Sequence, residues 1–349
     1  MFRYIVFPIC LLLVGIMTTS AYAKEGGSHA PGVGKIGGDH WADRITVSGL
    51  LEAEYGQTSV DGGASESDIV LATVELAFEA KLNDKVSTHL SFLYEEGDTT
   101  YEVDEGYIAY NMGGFTIKMG QMYVPFGSYE TNVISDPLTL EIGETRDSAL
   151  MLEGEAGSLQ YAAYLFNGVT LKTGSEEAVD KMGLRLAFVK EGMDIGVDYI
   201  SNIADTATVS SNVTSTPAIQ TEVSGMVLHA NLTFGSLHVI FENLTSDKFD
   251  AADLSFKGNG AELSATNMEV GYDFNMGGME STFAVAMQTT EEASGLGLPE
   301  SRMLIALSMK LQKDTALSFE YATSSDYSIA DGGTGADSTS ITAQLAVGF

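Results

Sequence analysis

Cysteine is almost missing from this chain. Cys10 is the only one among 349 residues, and it lies inside the apolar run at the amino terminus. Cleavage after Ala23 removes it, so no disulfide holds the mature fold. Bases are scarce as well: 17 Lys and Arg stand against 48 Asp and Glu, a formal charge of −31 that disfavours nucleic acid as a partner. Only 6 prolines punctuate the chain, while glycine reaches 38. Beyond the first residues no long apolar run occurs, so the mature chain has no segment fit to be a transmembrane helix.

What is present begins with a secretory pattern. Arg3 supplies a positive start, Ile5 to Met17 is almost wholly apolar, and Ala21–Tyr22–Ala23 is a small-x-small cleavage site. Residues 1–23 are therefore read as a signal peptide and 24–43 as a Gly-rich periplasmic linker. The linker contains "GVGKIG" (Gly32 to Gly37), but no strand precedes it and no helix follows, so it is no dinucleotide site. His29 and His40 are too far apart in a flexible segment to mark a metal site, and no cofactor is implied.

From Arg44 to the end the apolar period is two. "ITVSGLLEAEY" alternates Ile45, Val47, Leu51 and Tyr55 with Thr46, Ser48, Glu52 and Glu54. Seven short joints, such as Asn83–Lys85 and the repeated "NMGG" at 111–114 and 275–278, alternate with eight longer polar ones running from Gln57–Ser67 and Gly97–Thr100 to Asp326–Asp337. That rhythm predicts about sixteen antiparallel strands over 44–349, with one tidy end and one elaborated end. The pattern is that of an outer-membrane β-barrel with short periplasmic turns and long extracellular loops. The chain ends inside an alternating strand, with Leu345, Val347 and Phe349 on one parity; a strand that closes a barrel cannot fray, and a terminal aromatic fits the signal read by the barrel-assembly machinery. Both termini are expected on the short-turn side.

The apolar parity faces lipid: Leu184 and Leu186, Phe283, Val285 and Met287, Met303, Ile305, Leu307 and Met309 are examples. The opposite parity lines a water-filled lumen, since sixteen strands enclose more space than side chains fill. Pore-lining or selectivity candidates on it are Lys118, Arg185, Arg302, Lys310, Glu75, Glu79 and His229. The three bases Lys118, Arg185 and Arg302 either hold an anionic solute or merely pair with wall carboxylates such as Glu320. The long joints carry 19 acids and four bases, a surface suited to lipopolysaccharide or divalent ions; Asp247, Asp250 and Asp253 are spaced too loosely for a dedicated calcium site.

The connection 125–146 is the third long one and the most apolar, with Val133, Ile134, Leu138, Leu140 and Ile142. It is expected to fold into the barrel as a constriction loop, the alternative being a surface flap, with Pro125, Phe126, Gly127, Asp136, Glu141 and Arg146 as its candidate functional residues. No G-x-S-x-G nucleophile elbow occurs, and His229 and His238 lie mid-strand, so an outer-membrane hydrolase is not indicated.

"DEGYIAYNMGGFTIKMGQMYVPFGSYETN" resembles the strand–turn–strand of phosphate-selective-type porins. Taken with "GDHWADRITVSGLLEAEYG", "SDPLTLEIGETR" and the terminal Phe, the chain over roughly 40–349 is similar to the LbtU-type siderophore porins. That resemblance implies a sixteen-stranded outer-membrane channel admitting a ferric siderophore or similar small solute. Alternatives are a general or anion-selective diffusion porin, and a structural or adhesive barrel without a conducting pore. The resemblance carries no ligand-contact residues, and the sequence leaves oligomeric state open.

Overall fold

The computed structural model describes residues 44–213 and 217–349; the signal peptide and linker expected over 1–23 and 24–43 lie outside the described residues. Sixteen strands form one closed antiparallel barrel. They are β1 (Ile45–Val60), β2 (Ser65–Lys81), β3 (Val86–Tyr94), β4 (Glu102–Asn111), β5 (Phe115–Tyr123) and β6 (Arg146–Ala156). β7 (Leu159–Phe166), β8 (Lys181–Lys190), β9 (Met193–Ile200), β10 (Gly225–Phe234) and β11 (Leu237–Lys248) follow. β12 (Glu262–Met276), β13 (Met279–Glu291), β14 (Ser301–Gln312), β15 (Thr315–Ser325) and β16 (Ser338–Gly348) complete the wall. Each strand pairs with its sequence neighbour, and β16 closes on β1 with Leu50 opposite Gly348 and Val60 opposite Ser338. Gly49 and Phe349 exchange backbone hydrogen bonds at the seam (2.9 and 3.0 Å), on the side of the short turns.

The turns explain themselves locally. The Asn83 side chain accepts from the Lys85 and Val86 amides (2.9 and 3.0 Å), Asn111 from Gly113 (2.7 Å) and Asn275 from Gly278 (2.9 Å). An asparagine that mimics a backbone carbonyl, followed by glycines able to take positive φ, makes a tight turn without help from the rest of the barrel. This accounts for "NMGG" at both positions.

The parity of the faces is as the alternation implies. Leu186, Met287, Met303 and Ile305 are exposed on the outside, while Glu52, Lys118, Asp198, Glu242 and Glu269 point inward and are buried. Two details differ. Met309 has lipid-facing parity but is shielded, next to the register shift of β14 against β15 between Lys310 and Gln312. Ala306, of lumen parity, is not open to water but packed with Val133, Ala284, Ala286, Leu304 and Ala322.

The outward connections are L1 (61–64), L2 (95–101), L3 (124–145), L4 (167–180), L5 (201–224), L6 (249–261), L7 (292–300) and L8 (326–337). L1 corrects the sequence reading: strand pairing continues through Ser59 opposite Ser65, so the polar stretch 57–67 is strand with a four-residue tip. Polarity there reflects two faces in water above the membrane, which the alternation rule cannot distinguish from loop. L3 and L5 to L8 are built differently. Val124, Phe126, Leu138 and Ile142 of L3 join Ile203, Val209 and Val223 of L5, Phe249 and Leu254 of L6, Leu296 and Leu298 of L7, and Tyr327 of L8 in one apolar core. Two short helices meet in it, α1 (Leu138–Gly143) from L3 and α2 (Ala207–Asn212) from L5.

Candidate functional site: the inward loop and its wall

L3 leaves β5 at Val124 and returns to β6 at Thr145, where the Val124 amide bonds the Thr145 carbonyl (2.9 Å). Between these ends it runs along the inner wall from β9 to β15. Four inward carboxylates hold it. Asp198 on β9 accepts from the Gly127 amide (2.9 Å). Glu242 on β11 accepts from the Ser128 and Tyr129 amides and the Thr139 hydroxyl (2.6, 3.1 and 2.6 Å). Glu269 on β12 accepts from the Asn132 amide and side chain and from the Thr131 hydroxyl (2.7, 2.6 and 2.7 Å). Glu320 on β15 accepts from the Ile134 and Ser135 amides and the Ser135 hydroxyl (2.6, 3.0 and 2.5 Å). The arrangement solves two problems at once. A loop lying inside a barrel has backbone amides with no strand partner, and a buried carboxylate needs donors. Each satisfies the other, and a hydrogen bond to a charged acceptor is worth about 1.5–3 kcal/mol.

Shape assists the charge. Phe126 packs over Gly225 of β10, where a Cβ would stand 2.9 Å from its ring. Only glycine leaves room there. Pro125 gives its carbonyl to the Tyr164 hydroxyl (3.5 Å), and Asn231 donates to the Ser128 hydroxyl (2.7 Å).

Of the bases singled out from sequence, Lys118, Arg185 and Arg302 point inward, and each meets acid. Lys118 pairs with Glu153 (2.8 Å) and lies over the Tyr107 ring. Arg185 bonds Asp198 (3.2 Å) and the Gly127 carbonyl (3.0 Å), with Asp194 at 3.9 Å. Arg302 is buried, donates to the Asp136 carbonyl (3.3 Å) and has Glu141 and Glu320 as its electrostatic neighbours. His229 is buried between Asp194 (3.2 Å) and Asp198 (3.7 Å). Glu79 faces His89 (3.9 Å), with Glu75 close by. Arg146 bridges Asp104 (2.6 Å) and Glu102 (2.7 Å) at the foot of L3. Lys310 is the outlier. It is exposed at the short-turn rim beside Glu280 (3.2 Å), away from the rest.

Asp104, Glu105, Asp194 and Asp198 were not singled out from sequence. Asp198 has the lumen parity of "IGVDYI", opposite to Ile195, Val197 and Tyr199, so the alternation alone would have found it. Asp253, one of the loose calcium candidates, instead accepts the Gln220 and Thr221 amides (2.8 and 3.3 Å) and ties L6 to L5. Among the described residues no group of three or more His, Cys, Asp or Glu side chains is placed to hold a metal ion.

With this geometry stand the likenesses to known proteins. A family model described as Gram-negative porin matches residues 11–343. A UPF0422 protein of Coxiella burnetii is 26% identical over 295 residues, covering 80% of this chain and 63% of that protein. UPF0422 protein lpl2888 of Legionella pneumophila is 26% identical, covering 87% of this chain and 66% of its own length. The chain thus spans a little under two thirds of the length of these curated relatives. Among solved structures the outer membrane channel DcaP of Acinetobacter baumannii superposes with a TM-score of 0.63 at 12% identity, covering 87% of this chain and 97% of that one.

Proposed function

The chain belongs to the Gram-negative porin family, and we propose that L3 is the constriction of its channel. As a porin it is an outer-membrane protein that passes small solutes and is not an enzyme. The observation that carries the constriction is the set of four wall carboxylates, Asp198, Glu242, Glu269 and Glu320, bonded to L3 backbone amides along the lumen. A loop held that way narrows the bore and does not swing as a flap. The alternative, a filled structural barrel, is separated by planar-bilayer conductance of the refolded protein: discrete ohmic steps are expected, and their absence would sink the channel reading.

Ion preference follows from the pairing. Since Lys118, Arg185 and Arg302 each lie against carboxylates, they offer an anion little unspent charge, and the acid excess favours cations. A reversal potential in a KCl gradient that reports anion preference would refute this.

Ferric-siderophore import is the finer reading, supported by the resemblance of "GDHWADRITVSGLLEAEYG" and "SDPLTLEIGETR" to siderophore porins. Deleting the gene should then abolish siderophore-dependent growth under iron limitation, and unimpaired growth would remove that solute.

A further inference from the structure

On its outward side the β1–β2 hairpin rises beyond its neighbour β3. β2 pairs with β3 only from Val74, opposite Tyr94, to Lys81, opposite Ser87, whereas its pairing with β1 runs on to Ser65. L2 covers the next step. The Leu71 amide bonds the Glu96 carboxylate (2.8 Å), and the Leu71 carbonyl accepts the Glu96 amide (3.1 Å). Leu71 therefore turns its backbone groups away from β1. In an antiparallel ladder that direction recurs at every second residue, so Ile69, Ser67 and Ser65 turn theirs the same way. Among the described residues no strand meets them there. The Ile69 amide bonds the side chain of its own neighbour Asp68 (2.8 Å), and residues 65–69 are all exposed. The result is a free sheet edge about 16 Å long at the usual strand rise, standing in water.

The two faces of this edge differ. Ile69 lies opposite Tyr55, and both are exposed. Glu66 and Asp68 have the other parity and are exposed as well. Asp61 at the tip and Glu96 and Asp98 in L2 add to the acid, and no Lys or Arg occurs between Arg44 and Lys81. An open edge is a template for another strand. A second copy would set Glu66 and Asp68 against the same acids, and that repulsion disfavours self-pairing. A basic strand meets both demands: its backbone extends the ladder, its bases face Glu66 and Asp68, and its apolar residues lie beside Ile69 and Tyr55. We propose that residues 65–69 of β2 are a docking edge for an extended cationic polypeptide segment in which bases alternate with apolar residues. The edge lies above the membrane and is independent of what the channel carries.

The probe is a labelled heptapeptide of alternating lysine and valine, capped at both ends. It is titrated by fluorescence anisotropy into the refolded barrel in an uncharged detergent. Its control is N-methylated at every residue, which keeps the charge and the side chains and removes the backbone donors. The unmodified peptide should bind at least about tenfold more tightly than the control, the size expected from two or three backbone hydrogen bonds. Hydrogen exchange at the Ser65, Ser67 and Ile69 amides should slow when it binds. Ser67→Pro removes one edge donor and leaves the ladder to β1 intact, so it should weaken binding by about fivefold. Glu66→Gln with Asp68→Asn should also weaken it at low salt. Glu176→Gln with Glu177→Gln, an equal charge change on exposed residues of L4, should not. If the Ser67→Pro chain does not fold, judged by heat-modifiable mobility, the two peptides on the parent barrel decide. Equal binding of the two peptides means that charge alone adsorbs them, and overturns the edge. A folded Ser67→Pro barrel that binds as the parent does overturns it too. Protection of these three amides that grows with barrel concentration, in the absence of peptide, assigns the edge to a second copy and overturns the cationic partner.

Discussion

At Glu242 one carboxylate accepts three hydrogen bonds from L3, two from backbone amides and one from Thr139. Replacing it with Ala leaves those donors unmatched and releases the middle of the loop. At about 1.5–3 kcal/mol for each bond to a charged acceptor, the loss exceeds what Asp198 or Glu320 can offset alone. The expected outcome is a barrel that still shows heat-modifiable mobility, with raised single-channel conductance and faster liposome swelling by larger sugars. Unchanged conductance would mean that L3 is held by its apolar contacts instead. The two faces of the wall give a second test. Arg in place of Leu186, exposed to lipid, should destabilise the barrel by about 2–4 kcal/mol near the midplane. Arg in place of Ala306 is expected to harm for another reason, since Ala306 is packed beneath Val133 of L3. The first change should impair folding into vesicles. The second should leave folding intact and displace the loop, read as altered conductance.

Among the elements, the outward loops are held by ties that differ in kind. L4 is fastened to L5 by Asp205, which accepts the Val169 and Thr170 amides (2.9 and 2.7 Å) and the Asn202 side chain (2.7 Å); burial nevertheless lifts its carboxyl above the usual range. L6 and L8 are joined by the pair of exposed Lys257 and half-buried Asp331 at 2.5 Å. Lys257, with help from Ser328, holds the Asp331 carboxyl below its usual value. A carboxyl lowered in the folded state stabilises above the unfolded value, about 3.9 for Asp. That contribution is lost as pH falls through the lowered value. The Asp205 tie has the opposite sign, so it does not weaken on the same descent. Hydrogen exchange, corrected for intrinsic rates, should therefore show protection of residues 326–337 holding above about pH 4 and falling as the pH drops below it, while residues 169–170 keep theirs. Parallel loss in both loops would show that the Lys257–Asp331 pair is not what holds L8.

At the scale of the whole molecule, the barrel and the loop core do separate work. The wall closes through β1 and β16 and supplies every backbone partner that lipid cannot. The core on top joins L3, L5, L6, L7 and L8, with α2 of L5 packed against α1 of L3 and the Ala207 amide bonded to the Glu144 carbonyl (3.0 Å). Excising residues 207–212 should thus leave the barrel folded while removing the cover of Leu138 and Ile142. Conductance is expected to rise, and its noise to grow as L3 loses support from outside. A barrel that no longer assembles would show that the loop core is needed for closure, contrary to this division.

The sequence alone determined the strands, their number, their order and their two faces, because a period of two and the Asn-Gly turn chemistry are local and need no distant partner. It also marked L3, since a long connection carrying Val133, Ile134, Leu138 and Ile142 must be buried somewhere. It did not determine where L3 lies. That depends on Asp198, Glu242, Glu269 and Glu320, which come from four strands spread over more than a hundred residues and meet the loop only when the sheet has curled shut. Nor did it decide the state of the bases. Parity placed Lys118, Arg185 and Arg302 on the lumen side, but the register that sets Arg185 opposite Asp198 and Lys118 near Glu153 is a property of paired strands. The four-residue tip at L1 was hidden for a related reason: a strand that has left the membrane is wet on both faces, and its composition then reads as loop.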